Sequence, residues 1–147
     1  MSLVDDSVAE WDRFWADVDA DIRITLGIEH VEGDEEHVVM TMPFKPEISQ
    51  ATGLYSAGAL IQLADTAATW LCHLRLRASG AAEGAFAFAV QISSNLVGNA
   101  DSGSATAHAR LVSVGRTVMV SQTEVRDDDG RALLVQSVTH VVKGRKE

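Results

Sequence analysis

The chain offers one carboxylate in an unusual place. Asp65 sits in the middle of an apolar stretch, QATGLYSAGALIQLADTAATW, that runs from Gln50 to Trp70. An ionised aspartate inside a buried helix costs several kcal/mol unless it is hydrogen-bonded or lines a wet cleft. A carboxylate in such a cleft can act as a nucleophile or as a base that activates water. Thr69 lies at i+4 from Asp65, so both fall on one helix face and a hydroxyl-to-carboxylate contact is within reach. Ahead of them the small residues Ser56, Ala57 and Gly58 open the helix. A helix N-terminus carries unpaired N–H groups and a partial positive charge, which suit it to hold a developing oxyanion. Residues 56–58 and Asp65 are separated by roughly 12 Å at 1.5 Å rise per residue. The two groups therefore meet on one carbonyl carbon only if Asp65 comes from a second protomer whose helix runs antiparallel to the first. Plainer roles stay open for each residue alone: Asp65 paired with the backbone or facing solvent, Thr69 packing, Ser56 an N-cap.

The elements that position these groups follow from periodicity. Leu60, Ile61, Ala64, Ala67, Ala68 and Leu71 recur at helical spacing and predict one long, buried helix over residues 54–77. Trp11, Phe14, Trp15 and Val18 predict a short amphipathic helix over 5–18, too short to stand alone and so a lid or flank on something larger. Ile22, Ile24, Leu26 and Ile28 alternate with other residues and predict a strand over 21–31. A turn at Gly33-Asp34 leads to a second strand over 37–42, which Pro43 and Pro46 end. After the long helix, alternation predicts strands over 86–97, 104–114, 117–125 and 132–142. Ala105, Ala107 and Ala109 share one face, where small side chains let a helix approach closely, and Asp127-Asp128-Asp129-Gly130 marks a hairpin. The whole reads as a single α+β domain over 1–147, with a helical flank over 1–20 and a loose basic tail over 143–147. A six-stranded antiparallel sheet, its last four strands a meander, covers the long helix. Open sheet edges call for pairing between protomers, hence a homodimer or homotetramer.

Composition narrows the function classes. Twelve basic and 21 acidic residues give a formal charge of −9, which argues against a nucleic-acid partner. One cysteine, Cys72, cannot form an internal disulfide and fits a reducing, cytoplasmic setting. It and His73, His108 and His140 read as structural. Five scattered histidines show no metal-binding spacing, so neither a metal nor a cofactor is expected. No apolar run reaches the roughly 20 residues of a membrane span, and the acidic N-terminus is unlike a signal peptide.

The order of these elements, with the run GLYSAGALIQLADTA, resembles the hotdog-fold acyl-CoA thioesterases. The branch it is most similar to is the phenylacetic-acid-degradation type, which includes 4-hydroxybenzoyl-CoA thioesterases. Gly53, Gly58, Leu63, Asp65 and Ala67 match the family's helix pattern, and the likeness continues through Ser94-Asn95-Leu96, Gly115-Arg116-Thr117 and Asp129-Gly130-Arg131. The resemblance implies that Asp65 is the nucleophile or general base and that Thr69 orients it. It also implies that Gln50 contacts the thioester and that the Ala57 N–H polarises its carbonyl. Ser56, Gly58, Asn95 and Arg116 become substrate-binding candidates, Arg116 toward the CoA phosphates. CoA would be the carrier of the substrate. The family's His-Gly-Gly is here Ser56-Ala57-Gly58: the backbone donor survives, the histidine does not, and the alanine methyl crowds an approach that glycine leaves open. That departure keeps a second reading alive, a hotdog module that binds acyl-CoA or an acyl group without hydrolysing it. A hydratase or dehydratase of the same fold is weaker, because the branch that pairs its Asp with a His five residues on would need one where Trp70 stands. The acyl group is left open.

Overall fold

The computed structural model describes residues 3–82 and 84–144. In chain order the elements are α1 (Leu3–Trp15), α2 (Ile22–Leu26), β1 (Glu29–Gly33), β2 (His37–Pro43), α3 (Ala57–Ala78), β3 (Phe86–Leu96), β4 (Ser104–Val114), β5 (Val118–Arg126) and β6 (Ala132–Lys143). All six strands join one antiparallel sheet in the order β1-β2-β4-β5-β6-β3. This is the hotdog architecture, a long helix laid across a curved sheet.

The alanines of β4 explain how the helix lies so close. Ala105, Ala107 and Ala109 are buried on the face beneath α3, beside Val38, Met40 and Met42 of β2. From above, Leu60, Leu63, Ala64, Ala67 and Leu71 of α3 complete the core. Long side chains from β2 and small ones from β4 together fill the space under the helix.

Two expectations need correcting. Residues 21–31 are not one strand. Asp21 caps a short helix, its Oδ1 accepting from the Arg23 and Ile24 N–H groups at 2.7 and 3.3 Å, and Gly27 at φ 74° closes it in the left-handed region. The strand begins only at Glu29. Local side-chain capping overrides the alternation of isoleucines, as it often does for Asp before a helical turn. The last four strands are also not a simple meander: β3 pairs with β6 at the far edge, and the 97–103 loop carries the chain back across the sheet to start β4 beside β2. α1 ends at Trp15, before Val18. Lys143, expected in the loose tail, is the last residue of β6; residues 145–147 of that expected tail lie outside the described residues.

α3 starts at Ala57, three residues later than the periodicity suggests, because Tyr55 is pinned. Its hydroxyl donates to the Met42 carbonyl at 2.8 Å and accepts from the Ala105 N–H at 3.1 Å, and the residue is fully buried. Burial pushes its phenol up to about 12. Tyr55 thereby ties the loop ahead of α3 to β2 and β4 together. Tyr55→Phe strands one buried carbonyl and one buried N–H, and is expected to cost about 1–3 kcal/mol in denaturant titration.

Candidate active site

Asp65 opens into a cavity of about 210 Å³ that lies between α3 and the N-terminal segment. The α3 wall carries Gln62, Asp65, Thr66, Thr69, Trp70 and His73. Trp11, Phe14 and Trp15 of α1 and Arg23 of α2 form the opposite wall. Aromatic rings set its shape. Trp70 stacks on His73 with centroids 4.6 Å apart, and Trp11 meets Trp70 edge-on at 4.9 Å. The expected flank is therefore one wall of the cavity.

Within this apolar setting Asp65 Oδ1 is buried and has no hydrogen-bond partner among the described residues. Burial pushes the carboxyl above the usual carboxylate range. Gln62 and Thr66, its neighbours on the helix, bond each other instead: Gln62 Nε2 donates to Thr66 Oγ1 at 3.1 Å, and Thr66 Oγ1 donates to the Gln62 carbonyl at 2.8 Å. Thr69 shares the cavity with Asp65, but its hydroxyl lies 3.4 Å from Nε2 of His140 on β6. His140 belongs to a buried polar row on the sheet with Ser121, Thr123 and Gln136, the last accepting from Ser94 at 2.7 Å.

The other candidate residues lie elsewhere in the same protomer. Ser56 and Gly58 border a second cavity of about 320 Å³, with Ile48 and Gln62. The Ser56 carbonyl accepts from the Ala59 and Leu60 N–H groups at 3.1 and 3.2 Å, while its side chain makes no cap bond. Ala57 is the first residue of α3, so its N–H has no partner within the helix. A methyl group at Gly58 would approach nothing closer than Ser56 Oγ at 3.7 Å. Gln50 is exposed in a turn, donating its N–H to the Leu54 carbonyl at 2.9 Å. Asn95 is exposed on β3, and Arg116 is exposed in the β4–β5 turn. One protomer thus gathers Asp65 and Thr69, and leaves Gln50, Ser56, Ala57, Gly58, Asn95 and Arg116 outside their cavity.

Among the residues in and behind the cavity that sequence reasoning did not single out are Asp21, Arg23, Gln62, Thr66 and His140. Asp21 and Arg23 were hidden by the strand assignment. His140 stands 71 residues from Thr69, and nothing local links them. Trp70 carried a signal, since it lies four residues beyond Thr66 on the same helical face, and both line the cavity.

Three histidines, His30 and His140 buried and His73 partly so, make the fold sensitive to acid. Burial lowers the pKa of His30, His73 and His140 from 6.5. The folded state then binds fewer protons than the unfolded chain below that value. Their contribution to stability is present above pH 6.5 and is lost as pH falls toward the depressed folded values. His30 Nε2 pairs with Ser7 Oγ of α1 at 2.6 Å, and Glu10 Oε1 of α1 accepts from His73 Nε2 at 3.3 Å. Urea midpoints are expected to fall steadily on acidification below about pH 6.5, with tryptophan fluorescence, which reports on the α1 wall, changing before far-ultraviolet circular dichroism.

Residues 52–134 match the sequence model of the Thioesterase superfamily. ComA2 of Bacillus subtilis, a protein named for an inferred esterase activity, is 30% identical over 118 residues, which cover 80% of this chain and 90% of ComA2. Among solved structures the fold is similar to thioesterase HI1161 of Haemophilus influenzae, with TM-score 0.84, 24% identity, and 95% and 92% of the two chains covered. It is similar also to the PaaI protein of the phenylacetic acid degradation operon of E. coli, with TM-score 0.82, 20% identity, and 97% of each chain covered. A hypothetical thioesterase of Streptococcus pneumoniae solved with coenzyme A gives TM-score 0.71 and 21% identity, covering 82% of this chain and 91% of that one.

Proposed function

The chain belongs to the thioesterase superfamily, and from that premise we propose that it hydrolyses an acyl-CoA thioester to the free acid and CoA. The observation that carries the proposal is the unpartnered, buried Asp65 oxygen in a cavity walled in large part by the rings of Trp11, Phe14, Trp15 and Trp70. As a base, Asp65 takes a proton from water while the water oxygen adds to the thioester carbon. The tetrahedral intermediate then collapses, the C–S bond breaks, and the proton passes to the departing CoA sulfur. As a nucleophile, Asp65 instead forms a mixed anhydride as the thiolate leaves, and water cleaves it in a second step. Both routes need an oxyanion donor, which the Ala57 N–H at the start of α3 supplies from a second copy of the chain. Gln50 of that copy lies just ahead of the same helix and approaches the thioester carbonyl. Thr69 holds the Asp65 face of the cavity, with His140 behind it. Ser56 and Gly58 line the approach to the oxyanion donor, and Asn95 and Arg116 meet the carrier, Arg116 at the CoA phosphates.

The second copy is expected at β3. This edge strand exposes Phe86, Phe88, Val90, Ile92 and Leu96, an apolar edge that a monomer would leave open to unwanted pairing. A homodimer is the smallest unit with a complete site; a tetramer pairs two of them. The coenzyme A bound to the Streptococcus protein supports CoA as carrier, and the likeness to PaaI supports the phenylacetic-acid-degradation branch. Cys72 is free and buried, and among the described residues no helix is long and apolar enough to cross a membrane; a cytoplasmic reaction accords with both. Release of free thiol from a panel of acyl-CoAs tests the proposal. The loss of His-Gly-Gly at Ser56-Ala57-Gly58 favours one competitor, a binding module, which would bind a CoA ester and be stabilised by it with no thiol released.

A further inference from the structure

Two threonines of α3 use their hydroxyls differently. Thr66 donates to the carbonyl one turn back, that of Gln62, at 2.8 Å, the ordinary local bond of a helical threonine. Thr69 makes no such bond to the Asp65 carbonyl. Its only hydrogen-bond partner among the described residues is Nε2 of His140, 3.4 Å away on β6. His140 is fully buried, and its other nitrogen, Nδ1, has no partner among the described residues. Burial holds its pKa below the ordinary 6.5, so at neutral pH the ring carries a single proton on one nitrogen or the other. No charged group meets it across the sheet, where its neighbours are Ala89 on β3 and Met119 on β5. Cys72 of α3 shares a buried cluster with Met119, and burial pushes its thiol up to about 12, so it stays neutral.

The place of the ring proton decides what Thr69 can do. A buried donor without an acceptor is rarer in folded proteins than a buried acceptor without a donor. Nε2 has the Thr69 oxygen within reach and Nδ1 has nothing, so the proton belongs on Nε2. His140 then donates to Thr69. The Thr69 O–H, withdrawn from the helix backbone, is left to donate into the cavity that Thr69 shares with Asp65. A water that accepts from Thr69 and donates to the unpartnered Asp65 Oδ1 is held with one lone pair free for the thioester carbon. We infer that His140 is a positioning residue, which from behind the cavity fixes the direction of the Thr69 hydroxyl and, through it, the water that Asp65 activates. The role of that water rests on the thioesterase reading; the direction of the hydroxyl does not.

A double-mutant cycle separates this role from packing. His140→Leu and Thr69→Val are each expected to lower kcat by about tenfold with KM within about twofold, the scale of one hydrogen bond. Because His140 acts only through Thr69, the double variant should lose no more than either single one. His140→Gln, whose amide places a donor where Nε2 stands, should recover most of the rate. The acid limb of the kcat profile should move to higher pH in His140→Leu and Thr69→Val, since ionised Asp65 loses the donors that support it. The other titratable and charged groups on the cavity, Asp21, Arg23 and His73, are the same in every variant. Two measurements need no turnover. Nitrogen NMR of the wild-type His140 ring should show the proton on Nε2. Carbon NMR of the Asp65 carboxyl should show its titration moved upward in His140→Leu, and His140→Leu should add nothing once Thr69 is valine. Thermal melts check that the variants fold; should His140→Leu fail to, the ring spectrum and His140→Gln still decide. Additive losses, an unmoved Asp65 titration or a proton on Nδ1 overturns the inference and leaves the thioesterase reading in place. No thiol release from any acyl-CoA, with the Nε2 proton and the shifted titration both present, sinks the thioesterase reading and keeps the chain from His140 through Thr69.

Discussion

Asp65→Asn is expected to lower kcat by about 100-fold or more on any acyl-CoA that wild type hydrolyses, with KM changed little, the range that loss of a general base or nucleophile produces. Asparagine keeps the size of the side chain and removes only the charge and basicity. The same substitution should stabilise the fold at neutral pH. Burial raises the Asp65 pKa above 3.8, so the folded state favours the neutral acid. Ionised Asp65 therefore subtracts stability at every pH above 3.8, increasingly so until the raised folded value is passed. Asparagine escapes that cost. Its melting temperature should exceed that of wild type at pH 7, and the gap should close on acidification toward pH 3.8. An inactive but more stable variant is the mark of a group kept for chemistry against the interest of the fold. A variant of full activity would remove Asp65 from the mechanism.

Val90→Lys is the second large effect. Val90 is 60% exposed on the outer edge strand of the sheet, so in an isolated protomer a lysine there falls within the usual few tenths of a kcal/mol of a surface change. In a dimer joined along β3 it places an unpaired charge at the centre of an apolar interface, at a cost of several kcal/mol. Sedimentation is expected to show a monomer, circular dichroism an intact fold, and thiol release a fall of about 100-fold, because each Asp65 then lacks the Ala57 donor of its neighbour. A monomer that keeps full activity would mean that one protomer closes the site by itself.

Much of the fold could be read in advance because its signals are local. The strands that follow α3 carry local signals, the β4 alanines announced a close helix, and Asp65 stood out as a charge in an apolar run. The failures share a cause. The segment 21–31 was misassigned because a cap at Asp21 depends on a side-chain geometry that alternation does not encode. The position of β3 beside β6 depends on pairing between distant segments. Gln50 and Asp65 stand in one run of sequence, yet one protomer keeps them apart, and the proposed pairing of the two across chains has no trace in a single chain's periodicity. Arg23 reaches the cavity, and His140 the Thr69 hydroxyl behind it, through tertiary packing alone.

Ala105, Ala107 and Ala109 do more than fill space. Their methyl groups let α3 come down onto β4 while Val38, Met40 and Met42 of β2 fill the space beside them, and Asp65 rides on that helix. In a symmetric pair of protomers, a shim added beneath one helix is added beneath both, and two carboxylates move together relative to the donors they face. The innermost layer of the sheet is thus a gauge block for the reaction. Selection acting on rate extends to side chains that no substrate ever touches.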